Sequence, residues 1–496
     1  MTVTDTKQFA VLTLLVAVAG LLAVLSNRLS ERIRVPAPAL FLAAAAVAVR
    51  VAPDIEIQQR TVERLVTLAL LCILLDGGMH IGWSRFRESV VPITVVGLLG
   101  TFLTVAAAAL LAHVAFGLGW YVALLLGTAV APTDPAVVFS VLGKREVAGR
   151  SGTILEGESG ANDPVGIALM VGLIGAGSLD AGAFGHVAGE FVLQMTLGAA
   201  VGLLGGRAAL WFMRAVPLPS EGLYPLRTLA SALALFGGAT LLHGSGFLAV
   251  FIAGIVLGDA RAPYKREIER FASALASLGE IVAFIVLGLT VDLGRLTHTD
   301  VWVPGLVLGA VLAVVIRPLF VGLCLLPARL PANERSFVLF AGLKGAVPIL
   351  LGSFMLAAHV ADAERVYGIV IVVVTFSVVV QGSLVPTAAR VLHVPMRTVE
   401  PEPWALGVRL RDEPDGVHRL RIEPGSAVDG RAIEALDNLP DDAWISLVVR
   451  SGTLVPVRGE TTLRSGDEVL VLADPALREE LAALFERPAQ PPPTPD

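Results

Sequence analysis

Residues 156–164 read Glu156-Gly157-Glu158-Ser159-Gly160-Ala161-Asn162-Asp163-Pro164 and open an apolar run that continues to Ala176. Three carboxylates at the head of such a run need explaining. In the hydrocarbon region of a bilayer an ionisable side chain costs at least ~2.5–3.5 kcal/mol on insertion scales, so each must have a partner or a task. Read as a helix, the stretch places Glu158 and Asn162 on one face and Ser159 and Asp163 on another, because residues four apart are neighbours. Pro164 has no N–H to donate, which frees the carbonyl of residue 160. One span earlier, Ala131-Pro132-Thr133-Asp134-Pro135 interrupts another apolar run, and Gly342-Leu343-Lys344-Gly345-Ala346-Val347-Pro348 interrupts a third far downstream. Paired Gly/Pro-interrupted helices are the best sequence pointer to a transporter's midplane site.

Working outward, apolar runs of about 20 residues, the length that crosses a ~30 Å hydrocarbon core, recur through the first four-fifths of the chain. The 496 residues are 55% hydrophobic and 16% charged, with a mean hydropathy of +0.75. Soluble domains carry about 25% charged residues, so this composition excludes a soluble enzyme. The formal charge of −6 describes loops and tail, and nothing in it suggests a nucleic-acid partner. Cys72 and Cys324 both fall inside apolar runs and read as packing residues, not as a disulfide or metal pair. The first run, Phe9 to Leu25, lacks a small-residue cleavage pattern after it and reads as a retained helix, not a signal peptide.

The spans fall near 9–27, 35–52, 62–80, 90–115, 119–142, 154–176, 184–213, 225–243, 245–259, 273–291, 301–326, 335–358 and 365–390. With the N-terminus outside, the cytoplasmic loops and their edges hold sixteen Lys and Arg residues and the external ones five, as the positive-inside rule requires. Thirteen spans divide into six, a connector and six. The two sixes enter the membrane from opposite sides, so they can be inverted repeats, and the breaks then fall in the matching fifth and twelfth spans. The expected fold is an all-α polytopic membrane protein of about 13 transmembrane helices with a small cytoplasmic α/β domain.

Other charges lie within the spans: Asp76 in span 3, Glu280 in span 10, Arg317 in span 11 and Lys344 in span 12. Beside the break in span 5, the 156–164 stretch gathers a carboxylate, a hydroxyl and free backbone oxygens. Hard oxygens are what an alkali cation needs when it sheds water. A single carboxylate there can be neutralised by a proton or by a monovalent cation but hardly by both, and that competition is already an exchange mechanism. Structural hydrogen bonds stitching helices together are the simpler alternative. Five charged residues across the broken spans and their neighbours favour function.

At these residues the chain resembles the monovalent cation:proton antiporter 1 family, the sodium/proton and potassium/proton exchangers, and within it the NhaP-like potassium/proton branch. The resemblance covers about residues 9–390. It rests on Gly157 to Pro164, Thr133-Asp134-Pro135, Asp76-Gly77-Gly78-Met79 and Gly342 to Pro348. It implies a thirteen-helix inverted-repeat fold and a homodimer. It further implies that Asp163 is the ion- and proton-binding carboxylate, with the alkali cation at Asp163, and that Thr133, Asp134 and Ser159 coordinate or position the cation. By the same resemblance, Asn162 holds the crossing of spans 5 and 12 together, and Glu158 pairs with Arg317 as a structural ion pair. The Asn-Asp form implies electroneutral one-for-one exchange, with no cofactor beyond the transported potassium or sodium and the proton. One position departs from the pattern: Lys344 stands where the family motif carries arginine. Lysine keeps the charge but loses the bidentate fork.

After Arg390 the composition changes. Residues 1–392 read as the transport domain, 393–404 as a linker and 405–486 as a regulatory domain with strand-like runs at Ile445 to Val449 and Glu468 to Leu472. Residues 487–496 read as a disordered proline-rich tail. Thr462 to Val469, with Arg450-Ser451-Gly452, resembles the TrkA C-terminal half of potassium-conductance regulators. That resemblance implies a dimerising domain that binds a small ligand such as a nucleotide, a cyclic dinucleotide or an ion. A purely structural dimerisation module is the alternative.

The leading reading is a potassium/proton antiporter in the cell membrane, N-terminus outside and C-terminus cytoplasmic, because such tails accompany potassium-handling proteins. Sodium/proton exchange is the nearest alternative. A ligand-gated cation channel would need a Thr-Val-Gly-Tyr-Gly-type filter, which the chain lacks. An organic-anion carrier would want a cationic site without the Asn-Asp pair.

Overall fold

The computed structural model describes residues 36–51, 58–142, 145–147, 149–179, 181–398, 416–436, 438–440, 442–450 and 453–486. By its contacts the chain divides into two compact units, 1–403 and 404–496.

The first unit is helical: α1 (Ala37–Val51), α2 (Gln59–Thr94), α3 (Thr101–Phe116), α4 (Trp120–Val130), α5 (Pro135–Leu142), α6 (Arg150–Ala176), α7 (Ala181–Ala215), α8 (Leu223–Leu241), α9 (Gly246–Gly258), α10 (Lys265–Gly288), α11 (Thr299–Cys324), α12 (Ala332–Phe340), α13 (Ala346–Ala357), α14 (Ala363–Thr375) and α15 (Gly382–Val391). Among the described residues six helical stretches are long and apolar enough to cross a membrane, with shorter apolar helices at Ala37–Arg50, Gly246–Gly258 and Ala346–Ala357. Large apolar side chains such as Leu204, Trp211, Leu241, Val314 and Val391 point outward, which suits lipid and not water. The first expected span, 9–27, lies outside the described residues.

Spans 3 and 4 differ from expectation. The chain from Gln59 to Phe116 is helical over 58 residues, about 87 Å if straight and roughly three bilayer cores long. It folds into two passes at Gly82, whose φ of +66° and ψ of 166° only glycine adopts readily. No loop separates the two parts, because the break is confined to this one residue. Three π-helical turns were also not foreseen: Val95–Gly100 between α2 and α3, Leu312–Val321 within α11, and Phe376–Gln381 between α14 and α15. Pro318 sits inside the second, where its missing N–H disrupts the α-helical ladder. Hydrophobic periodicity over so few residues does not distinguish 3.6 from 4.4 residues per turn.

The helices sort into two packed groups. In one, α2 packs against α9 and α10, α9 against α7, and α10 against α1. In the other, α3 packs on α4, α11 on α14, and α13 on both α4 and α14, with α6 between α2 and α4. Both broken helices belong to the second group, and α13 also touches α2 and α10.

The segment read as a linker from residue 393 begins with a paired strand. Met396–Thr398 forms strand β2, antiparallel to β1 (Arg145–Val147), with Arg145 opposite Thr398 and Val147 opposite Met396. The first residues after α15 are therefore tied to the turn between α5 and α6 by backbone pairing, which composition does not report. The proline-rich 487–496 lies outside the described residues.

The second unit is a four-stranded antiparallel sheet in the order β3 (Val417–Arg421), β6 (Glu468–Leu472), β4 (Trp444–Arg450), β5 (Thr453–Val455). A β-bulge between Ile445 and Leu447 shifts the β4–β6 register. Helix α16 (Arg478–Phe485) packs on β3 and adds Leu481 and Phe485 to a core of Leu420, Ile422, Val448, Leu463, Val469 and Val471.

Candidate functional site

Each break has a local cause. Ala131 keeps helical backbone, but Pro132 has no N–H to continue the ladder, so α4 ends there. Asp134 Oδ1 then accepts the backbone N–H of Ala136 at 2.9 Å, and Pro135 takes the first helical position of α5, the usual Ncap–N1 pairing. The second break runs from Ala341 to Gly345 between α12 and α13. A Cβ at Gly345 would overlap the Asp134 carboxylate, so only glycine allows the two breaks to touch.

They do touch, by main chain and side chain. Asp134 N–H donates to Leu343 O at 2.8 Å. The backbone amides of Ala346 and Val137 also face the Asp134 carboxylate, so this one anion sits at the N-terminal ends of α5 and α13, where helix dipoles favour negative charge. Lys344 does the converse. Its Nζ donates to Ala131 O at 2.8 Å and Pro132 O at 3.1 Å, the carbonyls left over at the C-terminal end of α4. The Lys344 backbone N–H donates to Ser377 Oγ at 2.9 Å, Ser377 Oγ donates to Gln381 Oε1 at 3.2 Å, and Gln381 Nε2 donates to Phe340 O at 2.6 Å. Ser377 and Gln381 both lie in the third π turn. The sequence reading missed this brace because nothing in an apolar run announces a π turn.

α6 crosses the same place. Ser159 Oγ donates to Thr133 O at 2.6 Å, Asn162 Nδ2 donates to Thr133 Oγ1 at 2.8 Å, and Thr133 N–H donates to Asn162 Oδ1 at 3.3 Å. Ser159 and Asn162, three residues apart, thus share the task of gripping Thr133. Asp163 is buried, and its Oδ1 has no hydrogen-bond partner. The charges that act on it are Asp134 and Lys344.

One turn before Asn162 on α6, Glu158 meets Arg317 of α11. Arg317 Nη1 and Nη2 donate to the two carboxylate oxygens at 2.6 and 2.9 Å, while Arg317 Nε donates to Leu339 O at 2.8 Å and Nη2 to Val338 O at 3.1 Å. A cavity of about 20 Å³ lies between this pair and the crossing, with Asn162, Lys344, Ser377 and Gln381 in its lining. That is room for a water or two.

All eight sequence-derived residues therefore gather around one crossing. Asp76 and Glu280 lie elsewhere: Asp76 accepts from Ser273 Oγ of α10 at 2.7 Å, and Glu280 stands on α10 with a buried, unpartnered Oε1.

The profile described as "Sodium/hydrogen exchanger, transmembrane" matches residues 15–391, which holds the whole crossing. The chain belongs to the sodium/hydrogen exchanger family. A second profile, the TrkA-C domain, matches residues 417–486. This exchanger is 33% identical over 480 residues to a protein named K(+)/H(+) antiporter NhaP2 from Shewanella sp. (strain MR-4), covering 95% of this chain and 82% of the relative. It is 34% identical over 410 residues to K(+)/H(+) antiporter NhaP of Alkalimonas amylolytica, covering 82% and 71%. Among solved structures it resembles the sodium proton antiporter MjNhaP1 of Methanocaldococcus jannaschii, with a TM-score of 0.64 at 23% identity over 75% of this chain and 99% of that one. At that identity the likeness shows the fold.

Proposed function

We propose that this exchanger is an electroneutral monovalent cation/proton antiporter, that potassium is its main cation, and that Asp163 binds the cation or the proton in turn. The observation that carries this is the unpartnered, buried oxygen of Asp163 beside two broken helices whose other polar groups are bonded. A cation arriving at Asp163 displaces a proton, and a proton arriving displaces the cation. With one such carboxylate next to Asn162, each cycle moves one of each and no net charge. Thr133, Asp134 and Ser159 help coordinate or position the cation, while Asn162, Glu158, Arg317 and Lys344 fix the scaffold. The names of the relatives support potassium, and the name of a more distant one, Na(+)/H(+) antiporter NhaH of Halobacillus dabanensis at 26% identity, supports sodium as the alternative.

In this reading the protein is a homodimer in the cell membrane, the N-terminus is outside, and residues 405–486 form a cytoplasmic regulatory domain that binds a small ligand. Such a ligand changes transport only by favouring one conformation over another. The test is proton movement in proteoliposomes, followed with a pH probe while potassium, sodium and lithium are added in turn. Potassium should give the largest response, without a current on solid-supported membranes. No response to any alkali cation would reject the antiporter, and a sustained coupled current would reject one-for-one exchange.

A further inference from the structure

Asp163 alone offers a cation few oxygens. Thr133 O and Thr133 Oγ1 already accept hydrogen bonds from Ser159 and Asn162, and Asp134 faces backbone amides. A dehydrating alkali cation needs more hard oxygens than remain. Helix α10 carries a further candidate. Glu280 Oε1 is buried with no hydrogen-bond partner. Glu280 follows Gly279, where α10 lies so close to Ala69 of α2 that a Cβ would come within 2.9 Å of the Ala69 carbonyl oxygen, so its backbone is fixed by tight packing. α10 also packs on α13, the helix that starts at the crossing. The charge that acts on Glu280 is Asp134, which acts in turn on Asp163.

Toward the end where α2 begins, Glu63 repeats the pattern. Its Oε1 is also buried and unpartnered, and one turn earlier Gln59 Nε2 donates to Ser353 O of α13 at 3.5 Å. Bare carboxylate oxygens therefore occur along the seam between α13 and the α2/α10 wall, and Asp163 lies at the crossing where α13 begins.

We infer that Glu280 is a cation-positioning residue, an anionic oxygen on the α10 wall that an alkali ion meets in this seam before it settles on Asp163. This rests on the antiporter reading. Glu280 holds the ion while water is removed and gives it up to Asp163, so it governs how readily the site fills and not how fast the filled site crosses.

The test is the dependence of proton exchange on potassium concentration in proteoliposomes of the full chain. Glu280→Gln should raise the half-saturating concentration roughly tenfold, the loss of one favourable charge contact, and leave the maximal rate within about twofold. Glu280→Asp, which keeps the charge, should recover most of the difference. An unchanged half-saturation in Glu280→Gln would overturn the inference, and so would a lost maximal rate at unchanged half-saturation. If Glu280→Gln fails to insert, the potassium-induced rise in melting temperature of Glu280→Asp and wild type in detergent decides: a half-maximal concentration equal in the two supports it, and loss of the potassium effect in Glu280→Asp overturns it. Wild-type protein without any cation-driven exchange would sink the antiporter reading itself, a separate result.

Discussion

Glu158 and Asp163 lie on one helix, five residues apart, and are buried almost equally at 2% and 5% exposure. Their surroundings differ completely. Glu158 is closed: both oxygens are held by a guanidinium whose other donors reach two carbonyls. Asp163 is open, with an oxygen that bonds to nothing. A buried charge in a complete network is scaffold, because exchange would require breaking several charge-assisted bonds at once. A buried carboxylate left incomplete carries the full penalty of an unsatisfied polar group and gains most from a mobile ion. Burial alone does not distinguish the two carboxylates; the missing partner does.

The sharpest way to break this comparison is Asp163→Asn. It should reduce cation-driven proton movement to that of empty liposomes while melting temperature stays near wild type, and transport at the normal rate would return Asp163 to the scaffold. Arg317→Ala is the mirror image. Stranding Glu158 should destabilise the protein by about 3–5 kcal/mol, seen as poor expression or early melting in detergent, and Glu158→Ala should do the same. A stable but transport-dead Arg317→Ala would move the pair into the ion site.

Lys344 lies between the two cases, bonded to two carbonyls yet acting on Asp163. Lys344→Ala should lose about 1–3 kcal/mol for each carbonyl left without a donor, read as a lower melting temperature with reduced exchange. Lys344→Arg, the residue of the family motif, should keep both near wild type if the charge at the end of α4 is what matters. The smallest effect is expected in the second unit, where Arg450 holds Asp467 through two charge-assisted bonds of 2.9 and 2.7 Å. Burial pushes the Asp467 carboxyl up, but the Arg450 hydrogen bonds, the Arg464 backbone N–H and the nearby positive charges outweigh it and hold it below the usual carboxylate range. A depressed native value means stabilisation that is complete above the unfolded value and is lost as pH falls through the native one. The tail should therefore melt earlier as pH drops below about 4, and Asp467→Asn should flatten that dependence.

Sequence alone determined a good deal here. Apolar length marked the long apolar helices among the described residues, though not the join at Gly82, since a bilayer imposes one solvent and one length on every span. Pro132, Pro135, Gly345 and Pro348 announced the breaks, since proline and glycine act on the backbone locally. The pairing of Glu158 with Arg317, 159 residues apart, came from resemblance, and in the structure the two side chains share two hydrogen bonds. Only the tertiary structure decided which polar atoms were satisfied. Asn162 and Ser159 both spend their bonds on Thr133, Ser377 and Gln381 brace Lys344 from a π turn, and Met396–Thr398 pairs with Arg145–Val147. Resemblance singled out Asp163, whereas Glu280 looks in sequence like any other carboxylate in an apolar run; only the structure shows that both carry an oxygen without a partner. What sets them apart is a partner that is absent, and whether a partner is present depends on segments brought together across hundreds of residues, which no local pattern encodes.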